Sequence, residues 1–246
     1  MSEESRMWME IVFNIGYLVA IWALVALMTV QRKRVAPENR RVARLGRWMF
    51  FLLALGDTGH VGFRVWAYAS GDLETTITLL GRPIGLVGLG ALATAVTVTI
   101  FYVLVLVMWH ERFRKPYGWF GYLLFAAAAV RLVVMIPAWN QWNNVVPPQP
   151  WSTVRNLPLM LMGLGVAYLI LRDARAAHDH TFIWVGGFIV ASYLFYMPVI
   201  FFVQQVPTVG MLMIPKTLAY VGIAVVLYRD LYFREGAQPA AGLQPR

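Results

Sequence analysis

Long apolar segments recur along the whole chain, and they constrain its fold more than any other feature. About 20 apolar residues are enough for a helix to cross the hydrocarbon core of a bilayer, which is about 30 Å thick. Seven segments reach this length, at residues 8–30, 48–70, 86–109, 119–140, 154–172, 181–203 and 209–229. Only 13% of the residues are charged, against about 25% in soluble proteins. The sequence therefore predicts an all-α, multi-pass protein of the cell membrane.

The distribution of Lys and Arg predicts the orientation of this bundle. Fifteen of them lie in the connections after the first, third, fifth and seventh segments, and three, Arg6, Arg82 and Arg155, lie on the other side. Cytoplasmic loops carry an excess of Lys and Arg, so we expect the N-terminus outside and the C-terminus in the cytoplasm. The topology accounts for the net charge of +9, and no nucleic-acid partner is predicted. We expect one seven-helix domain over 1–236 and a disordered cytoplasmic tail over 237–246; whether it forms a homo-oligomer stays open.

The second segment carries three ionisable residues on one side. Asp57, His60 and Arg64 are spaced i, i+3 and i+7, which places them on one face of a helix. Each costs about 2.5–3.5 kcal/mol at membrane depth, so such residues face a protein interior or a wet cavity. The face is either a binding site or a structural contact in which Asp57 and Arg64 pair with other helices.

Polar residues of other segments converge on the same outer half of the predicted bundle. One carboxylate, that of Asp57, meets four cations there, and an excess of buried charge requires a bound anion or water. As an alternative, Arg155 lies at headgroup depth and Arg131 or Lys216 snorkels. The candidate ligand-binding residues are Asp57, His60, Arg64, Arg131, Asn140, Arg155, Asn156, Tyr196 and Lys216.

This charge imbalance favours a receptor or transporter with an outward-facing, electropositive pocket for a small anionic or amphipathic ligand. Metal and catalytic sites are not predicted, because His60 is the only one of four His inside a segment and the chain has no Cys. An intramembrane lipid-processing enzyme remains an alternative, with Ser70 and Ser192 as weak nucleophile candidates. Pro198 and Pro215 lie inside the sixth and seventh segments, where each predicts a kink.

Four runs resemble those of an uncharacterised family of bacterial seven-helix membrane proteins. The runs are LGDTGHVGFR (55–64), TVTIFY (97–102), RNLP (155–158) and MIPKTLAY (213–220). The resemblance covers essentially the whole chain. It implies a seven-helix fold and no particular activity.

A looser resemblance is to rhodopsins. It rests on the seven segments, the outer N-terminus, a Lys in the last segment and the aromatic stretch Tyr193–Pro198. This resemblance implies a retinal Schiff base on Lys216. Two features depart from that pattern, because the acid lies on the second segment instead of the third, and Arg64 and Arg131 add like charge.

Overall fold

The described part of the chain forms seven α-helices. The computed structural model describes residues 3–79, 81–137, 140–146 and 148–234, so the predicted tail at 237–246 lies outside it. The helices are α1 Glu3–Val30, α2 Arg40–Ala69, α3 Leu86–Phe113, α4 Gly118–Val134, α5 Trp151–Ala176, α6 His180–Phe202 and α7 Met213–Tyr228. A short antiparallel hairpin, β1 Thr76–Leu79 and β2 Arg82–Gly85, connects α2 to α3. The predicted all-α fold class is confirmed.

Most of these helices are long and apolar enough to cross a membrane. Within the described residues five segments meet that requirement by length and composition, at Ile11–Arg34, α3, α5, α6 and Pro207–Phe233. The apolar helix α4 has 17 residues. Helix α2 has 30 residues and is about 45 Å long at 1.5 Å per residue. The chain is thus a multi-pass membrane protein.

The largest differences from the predicted segments occur at two helix boundaries. Helix α4 ends at Val134, whereas the apolar pattern extends to 140. Proline disfavours helical geometry in the residue before it, so Pro137 stops the helix early. Helix α2 begins at Arg40, eight residues before the apolar part starts, and its first turns carry Arg40, Arg41, Arg44 and Arg47.

The connections define two ends of the bundle. We call the end that holds the β-hairpin, the 135–150 loop and the 3₁₀ turn Pro207–Leu212 the hairpin end. We call the other end, with Gln31–Asn39 and the connections after α3, α5 and α7, the basic end. At the basic end the charged groups pair directly: Arg41 contacts Glu111 at 3.1 Å and Arg112 contacts Asp179 at 2.8 Å. Which end faces the cytoplasm remains a prediction.

Small residues let α2 and α3 approach closely. Gly56 of α2 lies directly against the side chain of Thr97, and Gly90 of α3 lies against the backbone of His60. Close backbone approach through small residues is a common way for helices to associate in lipid. The contact fixes the position of α2 and therefore of the charged residues that it carries.

We predict that Gly56→Ala lowers the free energy of unfolding by about 1–3 kcal/mol, as overpacking does elsewhere. The new Cβ would collide with Thr97, so adding Thr97→Ala should restore most of the loss. Gly62→Ala on the same helix is the control, because nothing lies within 4 Å of a Cβ there. Thermal unfolding in detergent measures all three. Equal stability of the Gly56 and Gly62 variants would contradict the close contact.

Candidate functional site

A cavity of about 510 Å³ lies inside the bundle, at its hairpin end. All seven helices contribute to its wall, and the 135–150 loop adds Trp142, Asn144 and Val145. Typical sites for small molecules occupy about 300–1,000 Å³ and combine apolar walls with a few polar groups. The volume therefore suits a small organic ligand.

Eight of the nine candidate residues from the sequence line this cavity. They are Asp57, His60 and Arg64 on α2, Arg131 on α4, Arg155 and Asn156 on α5, Tyr196 on α6 and Lys216 on α7. The ninth, Asn140, is not part of the lining. Its side-chain amide donates to the carbonyl of Val134, so it satisfies the last turn of α4. Asn140 therefore lies after the end of α4 and not inside a membrane-spanning helix, because α4 ends before Pro137.

The charges in the cavity do not balance. Asp57 is the one carboxylate among the described residues that line it, against the cations Arg64, Arg131, Arg155 and Lys216. Arg131 is only 4% exposed and Arg155 only 9%. A buried cation without a counter-charge is strongly unfavourable. By formal charge, the described lining of the cavity therefore has more cations than carboxylates.

Arg131 is held by neutral groups. Its guanidinium donates to Thr99 Oγ1 at 3.1 Å and to Asn156 Oδ1 at 3.5 Å, while Nε is buried without a hydrogen-bond partner in the described structure. Tyr196 donates to the same Asn156 oxygen at 3.2 Å, and Asn156 Nδ2 donates to the carbonyl of Ser152 at 2.7 Å. These bonds fix the orientation of the Asn156 amide. The guanidinium is thus positioned without being neutralised.

Lys216 projects into the bundle between aromatic rings. Its Nζ lies 4.6 Å from the centroid of the Tyr196 ring and 5.5 Å from that of Tyr220. Such cation–π contacts contribute about 0.5–2 kcal/mol. The ammonium group is close enough to Asp57 and Arg131 for electrostatic interaction, although no described carboxylate forms a salt bridge with it. Lys216 is therefore an interior group and does not snorkel.

Asp57 has a partner that sequence reasoning missed. Tyr17 of α1 donates its hydroxyl to Asp57 Oδ2 at 2.6 Å, and the ring is only 7% exposed. The one available signal was a tyrosine within the apolar part of α1. Tyr220, which also lines the cavity, is hydrogen-bonded through its hydroxyl to that of Tyr102 at 2.8 Å.

The described residues contain no group of three or more His, Asp or Glu able to hold a metal ion. Ser192 is 1% exposed and donates to the carbonyl of Ile189 at 2.8 Å, and Ser70 lies exposed after the end of α2. The structure therefore does not bring either serine together with His60 and Asp57.

The fold is similar to that of a rhodopsin. The crystal structure of xanthorhodopsin, a light-driven ion pump with dual chromophore, aligns with a TM-score of 0.55 and 14% identity over 92% of this chain and 92% of that chain. At this identity the likeness shows the fold alone. No protein-family model matches the chain, and no curated protein matches it.

We predict that Tyr17→Phe and Asp57→Asn are energetically coupled. A hydrogen bond to a charged group contributes about 1.5–3 kcal/mol, so the double variant should lose less stability than the sum of the single variants by about that amount. Tyr122→Phe is the matched control, since Tyr122 is 65% exposed. Unfolding in detergent supplies the four free energies, and strict additivity would argue against the Tyr17–Asp57 bond.

Proposed function

We propose that this protein is a seven-helix receptor or transporter that binds a small amphipathic anion in the cavity. The observation that carries the proposal is the surplus of buried cations, four against one carboxylate among the described lining residues. An anionic head group would supply the missing charge, because charge-assisted hydrogen bonds to Arg and Lys are among the strongest that a site can offer.

The ligand would have a polar end and an apolar end. Its anionic group fits beside Arg131, Arg155 and Lys216, which come from α4, α5 and α7. An apolar part fits the remaining wall, whose members include Leu53, Val98, Leu159, Val199 and Ile214. A purely inorganic anion would leave this apolar wall uncovered.

The residues packed between the cavity and the basic end determine whether such a ligand could pass through the protein. The hydroxyl pair Tyr102–Tyr220 lies at its inner boundary. Beyond it, Leu106 and Ile223 lie about one turn further along α3 and α7 and are almost completely buried. The cavity is therefore closed toward the basic end in this conformation. Ligand sensing is compatible with this conformation, whereas transport requires a second one in which this layer separates.

We predict that octanesulfonate binds to the protein in lipid nanodiscs and that octanol, its neutral counterpart, binds far more weakly. Lys216→Met should weaken octanesulfonate binding about 10- to 100-fold, the range expected for a hydrogen bond to a charged group, and should reduce its salt dependence. Lys216→Arg keeps the charge and should retain much of the affinity, although the planar guanidinium fits a point-charge site imperfectly. Isothermal titration calorimetry measures each affinity.

The matched control is Lys115→Met, since Lys115 lies exposed at the basic end. It should leave octanesulfonate affinity unchanged. Equal affinities for octanesulfonate and octanol in the wild type would refute the anion site.

A second candidate function is a chromophore protein with a Schiff base on Lys216. The rhodopsin-like fold favours it, as does the position of Lys216 between two tyrosine rings in a cavity. Two features oppose it. The nearby carboxylate comes from α2, and Arg131 is close enough to repel a protonated Schiff base.

We predict, for this second candidate, that added retinal produces a visible absorption band that hydroxylamine bleaches. Borohydride should then fix the mass of retinal on Lys216, because the amine itself is the reacting group. Lys216→Arg and Lys216→Met should both abolish the band. For the anion site, in contrast, Lys216→Arg should retain much of the octanesulfonate affinity and Lys216→Met should lose it. A preparation that stays colourless with retinal excludes this candidate.

A further inference from the structure

His60 occupies an unusual electrostatic position in the cavity. Asp57 and Arg64 flank it on α2, and it interacts electrostatically with Arg64 and with Lys216 of α7. Its Nδ1 is buried without a hydrogen-bond partner among the described residues. Gly90 of α3 packs against the backbone of His60. This contact fixes the position of the His60 backbone at the cavity wall.

A proton on His60 would interact with the other charged and titratable groups that line the cavity. They are Tyr17 on α1, Arg131 on α4, Arg155 on α5, Tyr196 on α6 and Tyr220 on α7. In the empty cavity, a proton on the imidazole adds to an existing surplus of positive charge. A bound anion cancels part of that surplus, so it makes the same proton less costly.

Asp57 is a less suitable acceptor for such a proton. Its carboxylate already accepts a hydrogen bond from the Tyr17 hydroxyl at 2.6 Å. The positive charge of Lys216 also stabilises the negative charge of this carboxylate. The imidazole has no comparable partner on Nδ1.

We infer that the cavity takes up a proton on His60 together with each anion that it binds. The inference rests on the proposed anion site and adds a second, coupled ligand to it. By linkage the coupling is reciprocal, so protonation of His60 tightens anion binding to the same degree as anion binding favours protonation. For a transporter this means co-transport of anion and proton with no net charge. For a receptor it means a response that depends on external pH.

The test uses octanesulfonate, a probe that remains ionised throughout the experiment, so that any proton taken up must go to the protein. Full-length protein in nanodiscs is mixed with the probe in weakly buffered solution near about pH 6, and a pH electrode records the change. Alkalinisation of up to about one proton per bound anion is expected. Octanol should produce none.

The dependence of affinity on pH gives a second measurement that needs no variant. The liganded state binds more protons than the free state, so affinity should rise as pH falls, by at most about 10-fold per pH unit. His60→Gln should bind octanesulfonate with an affinity that does not change between about pH 5 and pH 7. His180→Gln, at an exposed His of the basic end, should retain the wild-type dependence.

The outcomes separate this inference from the proposed function. Octanesulfonate binding without proton uptake, and with constant affinity across the pH range, would overturn the coupling and leave the anion site intact. Proton uptake that persists in His60→Gln would overturn the assignment to His60. Failure of octanesulfonate to bind better than octanol would remove the proposed anion site, and the coupling with it.

Discussion

Uncompensated positive charge inside a low-dielectric bundle is the constraint on which the rest of this structure depends. Burying a cation is tolerated only when polar groups surround it, and removing one partner of a buried pair costs about 3–5 kcal/mol. The chain meets this demand for Arg131 with Thr99 and Asn156, and for Lys216 with the faces of Tyr196 and Tyr220. Each of these contacts orients a cation, and none of them cancels its charge.

At the basic end, four cations form salt bridges with carboxylates in the described structure. Glu111 lies between Arg41 at 3.1 Å and Arg114 at 3.6 Å, and Asp179 accepts from Arg112 at 2.8 Å while it also caps α6 by accepting from the backbone N–H of Phe182. The cavity has no such arrangement among its described residues. Because intramembrane charge is expensive and usually functional, this contrast supports reading the cavity as a ligand site.

The sequence predicted the helices and most of the cavity because both follow from simple patterns. Apolar length indicates spans, and the spacing of Asp57, His60 and Arg64 fixes a shared face whatever the neighbouring helices are. Asn140 could not be placed correctly, since hydropathy ignores the effect of Pro137 on the end of α4. Pro215 was expected to kink a helix. It lies in the first turn of α7, where the missing N–H of proline breaks no intrahelical hydrogen bond. The Tyr17–Asp57 bond depends on which face α1 presents to α2, and that depends on packing across the whole bundle.

Charge also separates the two proposed functions. A neutral aldehyde that condenses with Lys216 releases water, and the Schiff base, once protonated, carries the same single charge as the lysine it replaced. The surplus carried by Arg64, Arg131 and Arg155 would remain as large as before. A bound anion reduces this surplus directly. Fold similarity does not decide between the two. The described lining has three arginines beside one carboxylate, and that carboxylate already accepts a hydrogen bond from Tyr17. A bound anion would account for this excess of cations, whereas a chromophore would not.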